Sequence, residues 1–421
     1  MTALTHAAPY EDLAERFAPV FAEISRGEPA REAGRHLPFV ALEQLRSAGI
    51  GAVTVPVEAG GDGAGQEDAL RLLMDLAAVD ANTAHLVRSH LSFVEHVLAQ
   101  PDGTLRAAWL ARVVDGDLAG SALSEAHGPA LGEVDTHVSR DDGGRLRIRG
   151  RKYYTTGSIF ATWTLATVRL EDGIRVPGRQ RAPRRSPGVG PEPQALAVVR
   201  VRQPRVRVKD DWDGFGQRLT GTGTVEFAGA GVEDLFAVPA ADGPVPLHHE
   251  ATLMALLAGV GRAALRDGID QTRRRRRSPN TGGGLTPRED DQLLGIVGEL
   301  SAQQAAVEEL VRAAGRDLDA ALAGVGTGAG EHDATEGALR GAALSVHRAH
   351  VMVPRLVLDT CTRIFDTLGA SATSSGLQLD RHWRNARTLA NHDPAAFMAR
   401  MVGDWEVNGA VPVPYLSTGS A

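Results

Sequence analysis

The apolar period of this chain changes twice, and that order constrains its fold more than any single motif does. Residues from about 9 to 115 carry the spacing of amphipathic helices. Glu11-Asp12-Leu13-Ala14 opens one, Pro38 to Ala48 a second, Gln66 to Asp80 a third, and Asn82 to Leu98 a fourth that holds His85, His90 and His96. Ile50 to Pro56, closed by Gly60-Gly61, reads as a short extended piece. From about 117 to 237 the pattern turns into short alternating runs. Thr136 to Ser139 and Leu146 to Arg149 flank Asp141-Asp142-Gly143-Gly144, a hairpin signal. Trp163 to Leu170, Ala195 to Val201, Val206 to Val208 and Thr222 to Phe227 predict further strands, with a polar insertion at Arg175 to Pro193. From Glu250 to about Asn408 helical periodicity returns, broken at Ser278 to Pro287 and Gly324 to Glu331. The expectation is an α+β chain with a helical part at 1–116, a β part at 117–237 and a second helical part at 238–421.

Charge and cysteine usage exclude several classes. The net charge of −7 and pI near 6.1 argue against nucleic-acid binding, even though Arg273 to Arg277 are five consecutive arginines. Cys361 is the only cysteine, so no intrachain disulfide can form; it sits in an apolar helical stretch, where an inert buried thiol is expected. No charged-then-apolar segment opens the chain and no apolar run approaches about 18 residues, which leads to the expectation of a cytoplasmic protein without membrane spans. Gly214-Phe215-Gly216 lacks the third glycine of a dinucleotide fingerprint, and no metal-ligating set is assigned.

Asp380 to Pro394 reads DRHWRNARTLANHDP. Its arginines Arg381, Arg384 and Arg387 recur every three residues along one side of a helix, around Trp383 and His382. Asn391-His392-Asp393-Pro394 then reads as a turn that presents His392, whose imidazole can take or give a proton near pH 7. Four more segments stand out: Ser121-Ala122-Leu123-Ser124-Glu125, Lys152-Tyr153-Tyr154-Thr155-Thr156-Gly157, Trp212 to Gly223 (WDGFGQRLTGTG), and Phe365 to Ala372 (FDTLGASA). In this order they resemble the flavin-dependent monooxygenases of the acyl-CoA dehydrogenase fold, the group that includes dibenzothiophene monooxygenase.

The resemblance implies an N-terminal helical domain, a central β-barrel or sandwich domain and a C-terminal four-helix bundle. It implies that Tyr154 packs by the isoalloxazine, that Thr156 bonds near flavin N5 and O4, and that the Ser121 and Ser124 loop lines flavin and substrate. Trp212 would wall the substrate pocket. Arg273 or Arg277 would hold the flavin phosphate, with Ser371 in the loop that completes that site; the family pattern carries arginine where Ser371 stands. His90 and His392 match active-site histidines, and either would carry the proton, whereas His85 and His96 have no counterpart and read as structural. The cofactor would be FMN, with FAD as the alternative, arriving reduced from a separate reductase and forming a C4a-hydroperoxide with oxygen. A homotetramer, or at least a dimer, is expected, with the apolar faces of Leu293 to Val311 and Leu339 to Leu356 buried between chains. A dehydrogenase would need a glutamate base; none stands in Asn391 to Pro394, and Glu250 lies nearly a turn from the alternative place near Leu253. A flavoprotein dehydrogenase and a catalytically silent flavin binder are the other readings.

Overall fold

A computed structural model describes residues 7–125, 134–176, 195–240, 243–276, 285–324 and 332–412. Five helices come first: α1 (Tyr10–Gly34), α2 (Phe39–Ser47), α3 (Gln66–Val79), α4 (Ala81–Leu98) and α5 (Thr104–Val114). Eight strands follow: β1 (Ala119–Ala122), β2 (His137–Arg140), β3 (Leu146–Lys152), β4 (Trp163–Leu170), β5 (Ala195–Arg200), β6 (Val206–Val208), β7 (Val225–Gly231) and β8 (Asp234–Phe236). The chain then returns to helix in α6 (Pro244–Arg274), α7 (Asp291–Gly324), α8 (His332–Arg363), α9 (Asp380–Ala390) and α10 (Ala395–Asn408).

Local chemistry accounts for several boundaries. The carboxylate of Asp80 accepts hydrogen bonds from the backbone N–H groups of Asn82 and Thr83, both at 3.0 Å, and caps α4. Asp141 and Gly144 (φ 76°) close the turn between antiparallel β2 and β3, with His137 opposite Arg149. Ile50–Ala52 is a single 3-10 turn, not the extended piece the sequence suggests, because left-handed Gly49 and Gly60 fold the segment back on itself. α6 starts at Pro244, about two turns before Ala251, since proline suits the first turn of a helix. That earlier start puts His248 and His249 on the helix.

The sheet runs β6-β7-β3-β2-β4-β5-β8, and β1 joins β4 in parallel. Leu73 and Leu76 of α3, Leu256 and Val260 of α6, Val307 and Val311 of α7, and Val346 and Val353 of α8 share one continuous core. The apolar faces of α7 and α8, expected to bury between chains, are therefore largely spent inside this chain. Leu294 and Met352 are the large apolar residues of those helices left exposed among the described residues. Among them, too, no helix is long and apolar enough to cross a membrane. Arg277 and most of the 175–193 insertion lie outside the described residues.

Candidate active site

An antiparallel bridge between Ser124 and Tyr154 and a 3.0 Å hydrogen bond from the Ser121 N–H to the Thr156 carbonyl set four of the expected residues along one edge. Tyr154 leaves 47% of its surface open there. Its ring lies 5.1 Å from Tyr153 and 6.3 Å from Trp212, edge to face with both, so three aromatic rings form one partly exposed shelf. The Trp212 indole N–H donates to the Gly216 carbonyl at 3.0 Å, and a Cβ on Gly214 would sit 2.2 Å from that indole. Behind the shelf the hydroxyls of Thr156, Thr222 and Thr220 form a ladder, with oxygens 2.8 and 2.7 Å apart. A flat aromatic ring with polar edges fits this surface: the rings supply stacking area and the hydroxyls supply donors.

Two asparagines pin the loop that carries Trp212. Asn385 accepts from the Gln217 N–H at 2.6 Å and Asn82 from the Leu219 N–H at 3.0 Å. Gln217 adopts φ 53°, and Gly216 lies so close to the Arg384 carbonyl that a Cβ would fall 2.1 Å from it. This anchoring aims the Gln217 side chain at His85: Oε1 lies 3.0 Å from Nδ1.

The arginines of α9 serve the scaffold. Arg381 binds Glu28 of α1 at 2.9 Å and Asp267 of α6 at 2.7 Å, and Asp267 also meets His382 at 2.9 Å. Arg384 joins Glu32 at 2.9 Å and donates to the Phe215 carbonyl at 3.0 Å. These ion pairs tie α9 to α1 and α6, and the His392 turn follows directly from α9.

In that turn the His392 ring N–H donates to Asp393 at 2.8 Å, and the His392 side chain is 41% exposed. His392, His350 and Arg88 together outweigh burial and hold Asp393 below the usual carboxylate range. His350 donates from Nε2 to the Asp393 carbonyl at 3.2 Å, and its Nδ1 lies 3.5 Å from Glu250. Glu250 is buried, with His347 at 3.2 Å; against burial, which pushes a carboxyl up, the two histidines hold it low. Burial first, then Arg88 and His392, keeps His85 neutral. His85, read as structural from sequence, thus faces the same cluster as His392.

His90, expected beside the chemistry, is held by backbone groups. Its Nε2–H donates to the Gly51 carbonyl at 3.0 Å, and its Nδ1 accepts from the Ala119 N–H at 3.1 Å. Both ring nitrogens are committed to backbone, burial pushes the ring down to about 4, and the void beside it holds only about 10 Å³. That is roughly the space of one water. Nothing remains on this ring to reach a substrate.

At the far end of α6, Arg273 is exposed and paired with Asp270 at 3.4 Å. Arg275 instead leaves the helix in an extended conformation, and its guanidinium donates to the Thr367 carbonyl at 3.3 Å. A Cβ on Gly369 would come 3.0 Å from Arg275 Nη2, so glycine keeps that cradle open. Ser371 is exposed two residues further on. Among the described residues the arginine of this run that meets the Phe365 to Ala372 loop is Arg275, and a guanidinium beside open backbone fits a phosphate.

Residues 11–117 match the acyl-CoA dehydrogenase N-terminal domain and residues 251–396 the acyl-CoA dehydrogenase C-terminal domain, together more than half of the chain. The chain belongs to the acyl-CoA dehydrogenase fold family. Within it, the chain is an oxidoreductase of the flavin-dependent monooxygenase kind. It is 27% identical over 397 residues to a probable FMNH2-dependent monooxygenase, SfnC, of Pseudomonas putida, covering 90% of each chain. It is 27% identical over 394 residues to dibenzothiophene monooxygenase of Mycolicibacterium goodii, covering 88% of each. The structure of methanesulfinate monooxygenase MsuC from Pseudomonas fluorescens superposes with a TM-score of 0.81 at 25% identity, over 97% of this chain and 99% of that one.

Proposed function

We propose that this protein is the oxygenase half of a two-component system: it takes reduced FMN from a separate reductase and transfers one atom of O2 to a sulfur, nitrogen or electron-rich aromatic centre of a small molecule. The observation that carries this reading is the fate of the carboxylates. Glu250, the nearest candidate for a dehydrogenase base, is buried and occupied by His347 and His350, and Asp393 is committed to His392. A proton-handling histidine stands in the turn instead. Supporting it are the relatives: SfnC bears the name of an FMNH2-dependent enzyme, and TdsC of Paenibacillus has been solved with FMN bound.

Reduced flavin, when bound, supplies the electrons that activate O2. The chain's own residues do the rest. Tyr154 and Trp212 cover the ring and keep water from it, while Thr156 with Thr222 and Ser121 meet its polar edge. Asp393 orients His392, whose Nε2 carries the proton; neutral His85 stands beside it. Arg275, with the backbone at Gly369, is the candidate for the phosphate. Those phosphate groups lie about 38 Å along α6 from His249, counting 1.5 Å per residue. One flavin does not span that distance, which supports a neighbouring copy completing each site.

The test is direct. Protein mixed with chemically reduced FMN, ¹⁸O2 and a panel of thioethers, amines and indole should yield a product carrying one labelled oxygen. Anaerobic oxidation of acyl thioesters with an artificial electron acceptor, and no labelled product, would sink the reading in favour of a dehydrogenase.

A further inference from the structure

Arg88 is buried on α4, and among the described residues no carboxylate comes within ion-pair distance of it. Its Nε donates to the Thr252 hydroxyl at 3.2 Å and one terminal nitrogen to the His249 carbonyl at 2.9 Å. Among the described residues the other terminal nitrogen has no hydrogen-bond partner. A guanidinium cannot shed its charge to suit a dry site, so a buried one is normally met by an anion. Asp393 acts on it only through space and already serves His392 and His350.

Other unpaired donors lie around it. Gln217 is buried, and its Nε2 has no partner although Oε1 holds His85. The Nε2 of His249 is equally buried and unpaired. His85 and Arg88 are three residues apart on α4, hence on one face, and Arg88 acts electrostatically on the His85 and His249 rings, as His392 does. A cation, an amide donor and imidazoles that burial keeps neutral thus cluster beside the turn histidine.

We propose that this cluster is an oxyanion subsite: the substrate carries a small carboxylate, sulfinate or sulfonate head that pairs with Arg88 and takes hydrogen bonds from Gln217 and His249. This rests on the monooxygenase reading and narrows it to an anionic small molecule, held by its head while the atom to be oxygenated faces His392 and the flavin shelf. Arg88 supplies paired N–H donors of the geometry such a group prefers.

The experiment uses FMN-loaded protein and probes that need not turn over. Methanesulfonate is titrated against its neutral counterpart dimethyl sulfone, and propionate against propionamide, by calorimetry. The anion of each pair should bind at least about tenfold more tightly, the effect of one charge-assisted contact. Arg88→Gln should erase the difference, Arg88→Lys should keep part of it, and Gln217→Met should weaken both anions several-fold. Equal binding of the charged and neutral probes by the parent overturns the proposal, as does an unchanged preference in Arg88→Gln. FMN and riboflavin are titrated alongside; an Arg88→Gln loss confined to FMN would assign the arginine to the flavin phosphate and also overturn it. If the subsite binds anions while reduced FMN and O2 give no labelled product, the monooxygenase reading fails and the subsite stands. Should Arg88→Gln fold poorly, Arg88→Lys and Gln217→Met still report on the preference.

Discussion

Helix α4 carries histidines on two faces, and the difference between the faces separates scaffold from chemistry. His85 and Arg88 look toward the pinned Trp212 loop and the His392 turn; His90 looks toward the Gly51 turn and strand β1. All three are buried, so burial alone does not distinguish them. What distinguishes them is the partner. His90 spends both nitrogens on backbone, in a contact so close that a Cβ on Gly51 would sit 2.8 Å from its ring. His85 spends one nitrogen on a side chain, and Arg88 leaves a terminal nitrogen free. Saturated polar groups hold structure, whereas unsaturated ones, costly to bury, mark places where water or a ligand can bind.

The largest expected effect tests the open face. His392→Ala should lose about 10²–10⁴-fold in oxygenated product, the usual worth of a positioned proton donor. Reduced FMN should still bind and oxygen should still be consumed, with hydrogen peroxide accumulating in place of product. Near-parental product yield per oxygen consumed would break the comparison at its first point.

His90→Ala tests the sealed face and should do the reverse. It leaves the Gly51 carbonyl and the Ala119 N–H unpaired and buried, at about 1–3 kcal/mol each. Denaturant unfolding should show that loss, while product per oxygen consumed stays parental. If coupling instead collapsed in well-folded His90→Ala, the closed face would be part of the chemistry after all.

Acid should act through the same ring. The folded His90 is pushed from 6.5 down to about 4. Below pH 6.5 the unfolded chain binds a proton there that the folded chain does not, so the stability from this site is complete above 6.5. It falls as pH drops through about 4, by about 3 kcal/mol in all. His96 and His382, also pushed to about 4 by burial, add slopes of the same sign. His90→Gln should flatten the parent's stability curve between pH 6.5 and 4; parallel curves for the two proteins would show that this histidine is not the one resisting charge.

How much of this was readable from the residues alone divides along similar lines. The alternation of periods gave the helix, strand, helix order because one face of each element must be apolar. The aromatic shelf was legible too, since Tyr154 and Trp212 sit in dense local motifs. Arg88, Gln217 and His249 were not, because their meaning lies in contacts between residues over a hundred positions apart, as Arg88 with His249 and His85 with Gln217. Arg381 and Arg384 of α9 form a clamp that the local sequence does not show, since the acids they meet lie far away in α1 and α6.

The smallest expected effect concerns the arginines at the end of α6, where the same contrast of committed and uncommitted groups recurs. Their run suggested Arg273 and Arg277 four apart on one helical face; the helix stops at Arg274, Arg275 is extended, and Arg277 lies outside the described residues. Arg273 is spent on Asp270 at the surface, a kind of pair worth about 0–1 kcal/mol. Arg275 reaches the Thr367 carbonyl beside Gly369 and keeps further donors for a ligand. Arg275→Ala should therefore weaken FMN binding by about 1.5–3 kcal/mol, the range for hydrogen bonds to a charged group, and leave riboflavin binding unchanged. Arg273→Ala should change either affinity by much less. Equal losses of FMN and riboflavin in Arg275→Ala would mean that the arginine merely props the Thr367 loop, and an FMN-selective loss in Arg273→Ala would move the phosphate contact back to the helix.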